Sequence, residues 1–146
     1  MGWQESHLHQ FVTENEQLYG PHFDDMDPDS RRDLHDERMA RLCEIAAGPK
    51  ARFVYEYDFG DGWQHGLEVE EIGPPLVGVR YPVCLAGERA CPPEDCGGTP
   101  GYYELLDTMG DEEHPGHEEM LEWIGGDFDP DAFDIDEINS MLRTVK

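Results

Sequence analysis

Ring-bearing and polar side chains alternate most densely between Arg52 and Val69. Phe53, Tyr55, Tyr57 and Phe59 fall on one side of a period-two pattern, with Arg52, Glu56 and Asp58 mainly on the other. The tripeptide Gly60-Asp61-Gly62 then precedes a second alternating run, Trp63, His65, Leu67 and Val69. This predicts a hairpin with a three-residue loop, in which Gly62 takes the left-handed position. The pairing that follows sets Phe59 against Trp63, Tyr57 against His65 and Tyr55 against Leu67. An imidazole thereby lies on an otherwise apolar face.

The flanking segments carry weaker signals. Ser6 to Val12 predicts a short strand with His7, His9 and Phe11 on one side, and a turn at Asn15-Glu16 leads to a second strand near Gln17 to Tyr19. Proline and acid over Pro21 to Asp29 predict a loop. The spacing Met39, Leu42, Cys43, Ala46 predicts a helix over about 30–47, ended by Gly48-Pro49, with Cys43 as a small core residue. Val83 to Gly101 is rich in Cys, Pro and Gly and predicts an ordered loop. Thr99-Pro100 starts a helix carrying Tyr102, Leu105, Leu106 and Met109. His117, Met120, Leu121 and Ile124 mark another, stopped by Gly125-Gly126. Asp134 caps a last helix, with Glu137 three residues on and Phe133 placed to staple against Ile138. The expectation is one α+β domain over residues 1–146: a small, mostly antiparallel sheet of three or four strands with an aromatic hairpin, packed by C-terminal helices.

Charge narrows the partners. The 146 residues carry 34 acidic against 10 basic side chains, a formal net charge of −24. Such a surface repels phosphates, so no direct nucleic-acid binding is expected, and a protein partner of basic character fits better. No apolar run approaches the roughly 20 residues a membrane span needs, so no membrane partner is expected and a cytoplasmic location follows as the default.

The chemistry-bearing side chains suggest two kinds of site. Cys84, Cys91 and Cys96 are spaced C-x6-C-x4-C. Structural zinc sites favour gaps of about two to four residues, so only the second gap fits, and His65, His7 or His9 would have to supply a fourth ligand. No cofactor is expected; the one the chain could take is zinc, on Cys84, Cys91, Cys96 and His65. His7 and His9, two apart on a strand, share a face and with His65 and Asp58 or Asp61 compose a mixed imidazole–carboxylate set. The same groups could serve as acid and base, yet no activated Ser, Cys or Lys stands near them, and Asp61 is ordinary turn chemistry. No catalytic residue is assigned. Asp25, Asp27, Asp29, Asp33 and Asp36 mimic calcium-loop offsets, but Pro28 interrupts them and Asp36 stands where a bidentate Glu belongs, so they read as a solvated acidic loop. Glu94-Asp95, framed by Pro92-Pro93 and Gly97-Gly98, reads as a structural pair that caps backbone donors or meets Arg89.

Several segments together resemble one family. Tyr55 to His65, Cys91 to Gly98, Gly2-Trp3 with Ser6 to Phe11, and Phe128-Asp129-Pro130 are similar to the plasmid pRiA4b ORF-3-like proteins, some of which are labelled as resolvase-like passengers of insertion elements. The resemblance runs over nearly the whole chain. It implies an α+β fold without an established activity, and a mobile-element or plasmid setting. Members often carry Val where Cys96 stands, which argues against an obligatory ligand there. They also usually carry a strand, a proline turn and a helix upstream of the Gly-Trp pair, so a shortened chain with an open sheet edge is expected. A resolvase needs a nucleophilic serine among arginines. Here the serines are Ser6, Ser30 and Ser140, and most arginines lie between Arg31 and Arg52, so resolvase chemistry is excluded.

Two functional expectations follow. The first is a non-catalytic protein-interaction domain whose contact surface comprises Asp58, Asp61, Trp63, His65, Glu94 and Asp95. The second is a metal-dependent enzyme, a hydrolase, built on His7, His9, His65 and nearby carboxylates or thiols.

Overall fold

Five short strands form one sheet in the order β3-β2-β1-β4-β5, followed in the chain by three longer helices, in a computed structural model that describes residues 2–4, 6–21, 33–126 and 128–145. The strands are β1 (His9–Thr13), β2 (Leu18–Gly20), β3 (Leu34–Asp36), β4 (Arg52–Tyr57) and β5 (Trp63–Glu68). The helices are α1 (Leu42–Ile45), α2 (Gly98–Met109), α3 (His117–Ile124) and α4 (Ile135–Leu142). The fold is α+β, as the sequence implies. All pairings are antiparallel except β2 with β3. Of the expected acidic loop at Pro21 to Asp29 only Pro21 is among the described residues; of the calcium-like aspartates, Asp25, Asp27 and Asp29 lie outside them, whereas Asp33 and Asp36 are described and Asp36 ends β3.

The chain groups into two compact units, each discontinuous in sequence. The sheet unit holds Glu5–Gly73 with Gly97–Thr99, and the helical unit holds Met1–Gln4, Pro74–Cys96 and Pro100–Lys146. In the sheet unit, period-two alternation gathers the rings on one face. Phe11 lies 5.0 Å from Tyr55 and 6.3 Å from Phe53 between ring centroids, and Tyr55 lies 6.4 Å from Tyr57. Phe53 and Tyr57 are buried. Rings at these separations add edge and offset-stacking attraction to the burial of their apolar surface.

The hairpin register differs from expectation by two residues. Tyr57 pairs with Trp63, Tyr55 with His65 and Phe53 with Leu67. The cause is Asp58, which leaves the strand at φ 52° and makes the connection Asp58 to Gly62 five residues long rather than three. Because the slip is two residues and not one, the aromatic set keeps its face. Phe59 drops out of the pairing and is 54% exposed.

The helix expected over 30–47 is mostly replaced by other structure. Leu34–Asp36 pairs with β2 as a fifth strand, Glu37–Met39 forms a short 3-10 turn, and only Leu42–Ile45 is α-helical. The Asp36 side chain accepts from the Arg38 amide at 3.0 Å, ending the strand and starting the turn. Met39 and Leu42 were expected to face a core but are 83% and 67% exposed; Ala46 alone of that stripe is buried. Cys43 is exposed as well, against the expectation of a core thiol. The edge of the sheet offers Leu34 backbone partners that a helix with one weak stripe could not match.

The helical unit follows its sequence signals closely. Leu105 is fully buried, the Gly125 amide closes α3 onto the Leu121 carbonyl at 3.1 Å, and Asp134 Oδ1 accepts from the Asp136 and Glu137 amides at 2.9 and 3.0 Å. Phe133 packs against Gly87, where an added Cβ would lie 2.3 Å from its ring. Asn139 reaches the backbone of Cys84 at both ends, its Oδ1 accepting from the Cys84 amide at 2.8 Å and its Nδ2 donating to the Cys84 carbonyl at 3.0 Å. That pair of bonds ties the Cys/Pro/Gly loop to α4 through main chain.

The tightest backbone approach to a glycine of the sheet unit is at Gly98, φ 65°, where an added Cβ would stand 2.1 Å from the Asp61 carbonyl oxygen. Gly98→Ala is expected to lower stability by more than about 1 kcal/mol in denaturant unfolding, since both the left-handed backbone and the contact oppose a side chain.

Candidate functional site

The sheet unit concentrates its titratable chemistry around the start of the β4–β5 connection. Asp58 is 8% exposed, yet its carboxylate is well supplied with donors. Oδ1 accepts from the Gly60 amide at 3.0 Å and the Asp61 amide at 3.3 Å, while its backbone amide donates to the Leu8 carbonyl at 2.9 Å. This is the local bonding that lets an Asp adopt the left-handed region and open a turn. Oδ2 faces His7 Nδ1 at 3.8 Å. The His7 ring stands edge-on to Tyr57, with centroids 5.9 Å apart and planes at 84°. Asp61 Oδ2 accepts from the Gly97 amide at 3.1 Å, which ties the turn to the residues preceding α2.

The other two candidate imidazoles sit further along the same aromatic face. His9 Nε2 meets Glu37 Oε2 at 2.9 Å, and His65 Nδ1 meets the Tyr55 carbonyl at 3.2 Å. Both rings flank Tyr55, at 5.6 Å for His9 and 5.8 Å for His65. His65 is half-buried, as the alternation predicts, and that burial holds its imidazole below the ordinary value of 6.5, with the Tyr55 carbonyl acting in opposition. The expected set of His7, His9, His65 and carboxylate is therefore distributed: His7 goes with Asp58, His9 with Glu37, and His65 with main chain.

In the helical unit the three thiols go separate ways. Cys84 Sγ donates to the Ala86 carbonyl at 3.4 Å, and Cys91 Sγ would lie 3.6 Å from a Cβ added at Gly2. Burial raises the Cys91 thiol above its usual range, which disfavours the thiolate a metal would need. Among the described residues none of Cys84, Cys91 and Cys96 joins a set of three potential ligands within 4.8 Å. Glu94 Oε1 accepts from the Gln4 amide at 2.9 Å, close to Trp3, whose indole donates to the Pro92 carbonyl at 2.9 Å. Asp95 is exposed at φ 57°.

Of the expected contact residues, then, Asp58 is buried, Asp61 and Glu94 serve backbone amides, and Trp63 and His65 are half-buried on the aromatic face. Two relevant groups were not singled out in the sequence. Glu37 lies 28 residues from His9 with no local signal joining them. Exposure of Phe59 followed only once the register was known. The Gly97-Gly98 pair did carry a signal, since adjacent glycines before a helix mark a place where backbone is approached closely.

This α+β architecture and these motifs define a family. The family model described as plasmid pRiA4b ORF-3-like protein matches residues 1–137, and the chain belongs to that family. It is 36% identical over 145 residues to the uncharacterized protein y4hQ of Sinorhizobium fredii (strain NBRC 101917 / NGR234), covering 97% of this chain and 71% of that one. The crystal structure of the protein of unknown function MM3350 from Methanosarcina mazei Go1 is similar with a TM-score of 0.80 and 38% identity, over 94% of this chain and 75% of that one.

Two outcomes follow from the site's electrostatics. Asp58→Ala is expected to cost about 1–2 kcal/mol in denaturant unfolding, through loss of the turn caps, while Asp58→Asn, which keeps an oxygen acceptor and tolerates the left-handed region, costs less. For His65, the folded value lies below the unfolded value of 6.5, so its contribution to stability is complete above pH 6.5 and is lost as pH falls through the folded value. His65→Gln is therefore expected to flatten the decline in unfolding free energy between about pH 7 and pH 5, measured against the unsubstituted chain.

Proposed function

We propose that this chain is a non-catalytic, acidic binding domain for a basic protein partner, working in the plasmid or mobile-element setting suggested by its family's description. The observation that supports this most is Phe59. Its ring is 54% exposed on a connection that the Asp58 carboxylate and the Asp61–Gly97 bond hold in place. An aromatic ring on a prearranged turn binds with little further loss of conformational freedom, which is the economy that interface anchors use. The charge of −24 adds long-range attraction for a cationic surface. The carboxylates nearest the ring serve backbone amides, which leaves them structural rather than reactive. The partner fitting these features offers an apolar recess rimmed by lysine and arginine.

A second reading, a metal-assisted hydrolase, draws on the 3.8 Å approach of His7 Nδ1 to Asp58 Oδ2. A mixed imidazole–carboxylate set of this kind suits a divalent metal.

Affinity capture with the chain and its Phe59→Ser variant, both eluted on a salt gradient, tests the first reading. Basic proteins are expected to be retained by the former, to leave by about 0.5 M salt as screening shortens the range of attraction, and to be depleted with the variant. Identical captures by both reject it. Elemental analysis of chain purified without a histidine tag tests the second: one divalent metal per chain, lost in His7→Ala, supports it, and a metal-free, fully folded chain rejects it.

A further inference from the structure

The helical unit contains a cavity of about 410 Å³, bounded by α2, α3 and the chain just before α2. Its size falls in the range of small-ligand pockets, roughly 300–1,000 Å³. Leu105, Met120 and the half-exposed Trp123 supply its apolar wall. Glu104 and Glu119 bring carboxylates to it. Among the described residues, Glu104 and Glu119 take part in no ion pair.

The decisive group is Thr108. It is 4% exposed and lines the same cavity. Its backbone carbonyl accepts from or meets His117 Nδ1 at 2.9 Å, but among the described residues its hydroxyl makes no hydrogen bond, not even the back-bond to the preceding helical turn that Thr144 makes to Met141. A buried hydroxyl without a partner costs on the order of 1–3 kcal/mol, so it marks a place where a ligand donor would be rewarded.

We propose that this cavity binds an organic ammonium group. The three parts of the lining each answer one property of such a ligand. Carboxylates neutralise its charge, the Trp123 face attracts a cation through the ring quadrupole, and the Thr108 hydroxyl accepts one N–H while the alkyl portion lies against Leu105 and Met120. A carboxylate or phosphate ligand would meet the like charges of Glu104 and Glu119 here, and a purely apolar one would leave both the hydroxyl and the acids unanswered. The ammonium can come from a free amine or from a lysine side chain. The proposal does not depend on the role of the turn carrying Phe59.

Titration of the full chain followed by ¹H–¹⁵N correlation spectra tests this, with butylammonium chloride as probe, 1-butanol as its neutral counterpart and sodium chloride at matched ionic strength as control. Butylammonium is expected to shift the Trp123 indole N–H and the Thr108 and Gly116 amides saturably, with 1-butanol binding at least about tenfold more weakly, a difference of one charge-assisted contact. Thr108→Val, which keeps the shape and removes the hydroxyl, is expected to weaken butylammonium severalfold while leaving Tm unchanged or higher. Acetyl-Gly-Lys-Gly-amide distinguishes the sources: saturation by the peptide as well assigns a lysine side chain, and saturation by butylammonium alone assigns a free amine. Equal binding of 1-butanol, identical shifts with sodium chloride, or undiminished binding by Thr108→Val overturns the proposal.

Discussion

The sheet unit depends on how one buried carboxylate is satisfied. Asp58 turns the chain out of β4 with a left-handed backbone, and its Oδ1 accepts the amides of Gly60 and Asp61, which would otherwise lack partners in the turn. The length of that turn sets the register of β4 on β5, and the register decides which ring each side chain meets. His65 faces Tyr55 because of it, and Phe59 is released to the surface. From the same turn, Asp61 extends to the Gly97 amide, so the turn also fixes the backbone that leads into α2.

Imidazoles and carboxylates that lie near one another in the sequence need not meet as one set in the fold. Each candidate histidine has a neighbour, but a different one: Asp58, Glu37 or a main-chain carbonyl. Placing rings between the imidazoles keeps them apart, with Tyr55 between His9 and His65. The acids of the turn act as acceptors for amides, a task that restrains the backbone and lowers their availability for chemistry. Among the described residues of the sheet unit, Phe59 is the aromatic ring left exposed, on a chain of strongly negative charge.

Legibility from sequence followed the range of the determining interaction. Helices α2, α3 and α4 were readable because their signals are local: Thr99-Pro100, the Gly125-Gly126 stop and the Asp134 cap all act within a few residues. The aromatic face was readable because alternation survives a slip of two. The turn length was not, because a three-residue loop with Gly62 and a five-residue one opened by Asp58 leave nearly the same pattern of residues. The segment from Leu34 to Ile45 misled for a different reason. Its helical spacing is real, but pairing of Leu34–Asp36 with β2 is a contact between distant residues that no local pattern records. Likewise, three cysteines close in sequence suggested convergence, whereas their side chains found separate surroundings.

The helical unit draws its first few residues from one end of the described chain and the rest from far downstream. The Trp3 indole waits for a carbonyl 89 positions later, and the Gln4 amide for a carboxylate 90 positions later. During synthesis on a ribosome, neither acceptor exists until most of the polypeptide has emerged, while the hairpin can zip as soon as Glu68 is free. Closing loops of that span is entropically slow. Topology thereby lets the ribbon of rings form before the clasp on Trp3 can close.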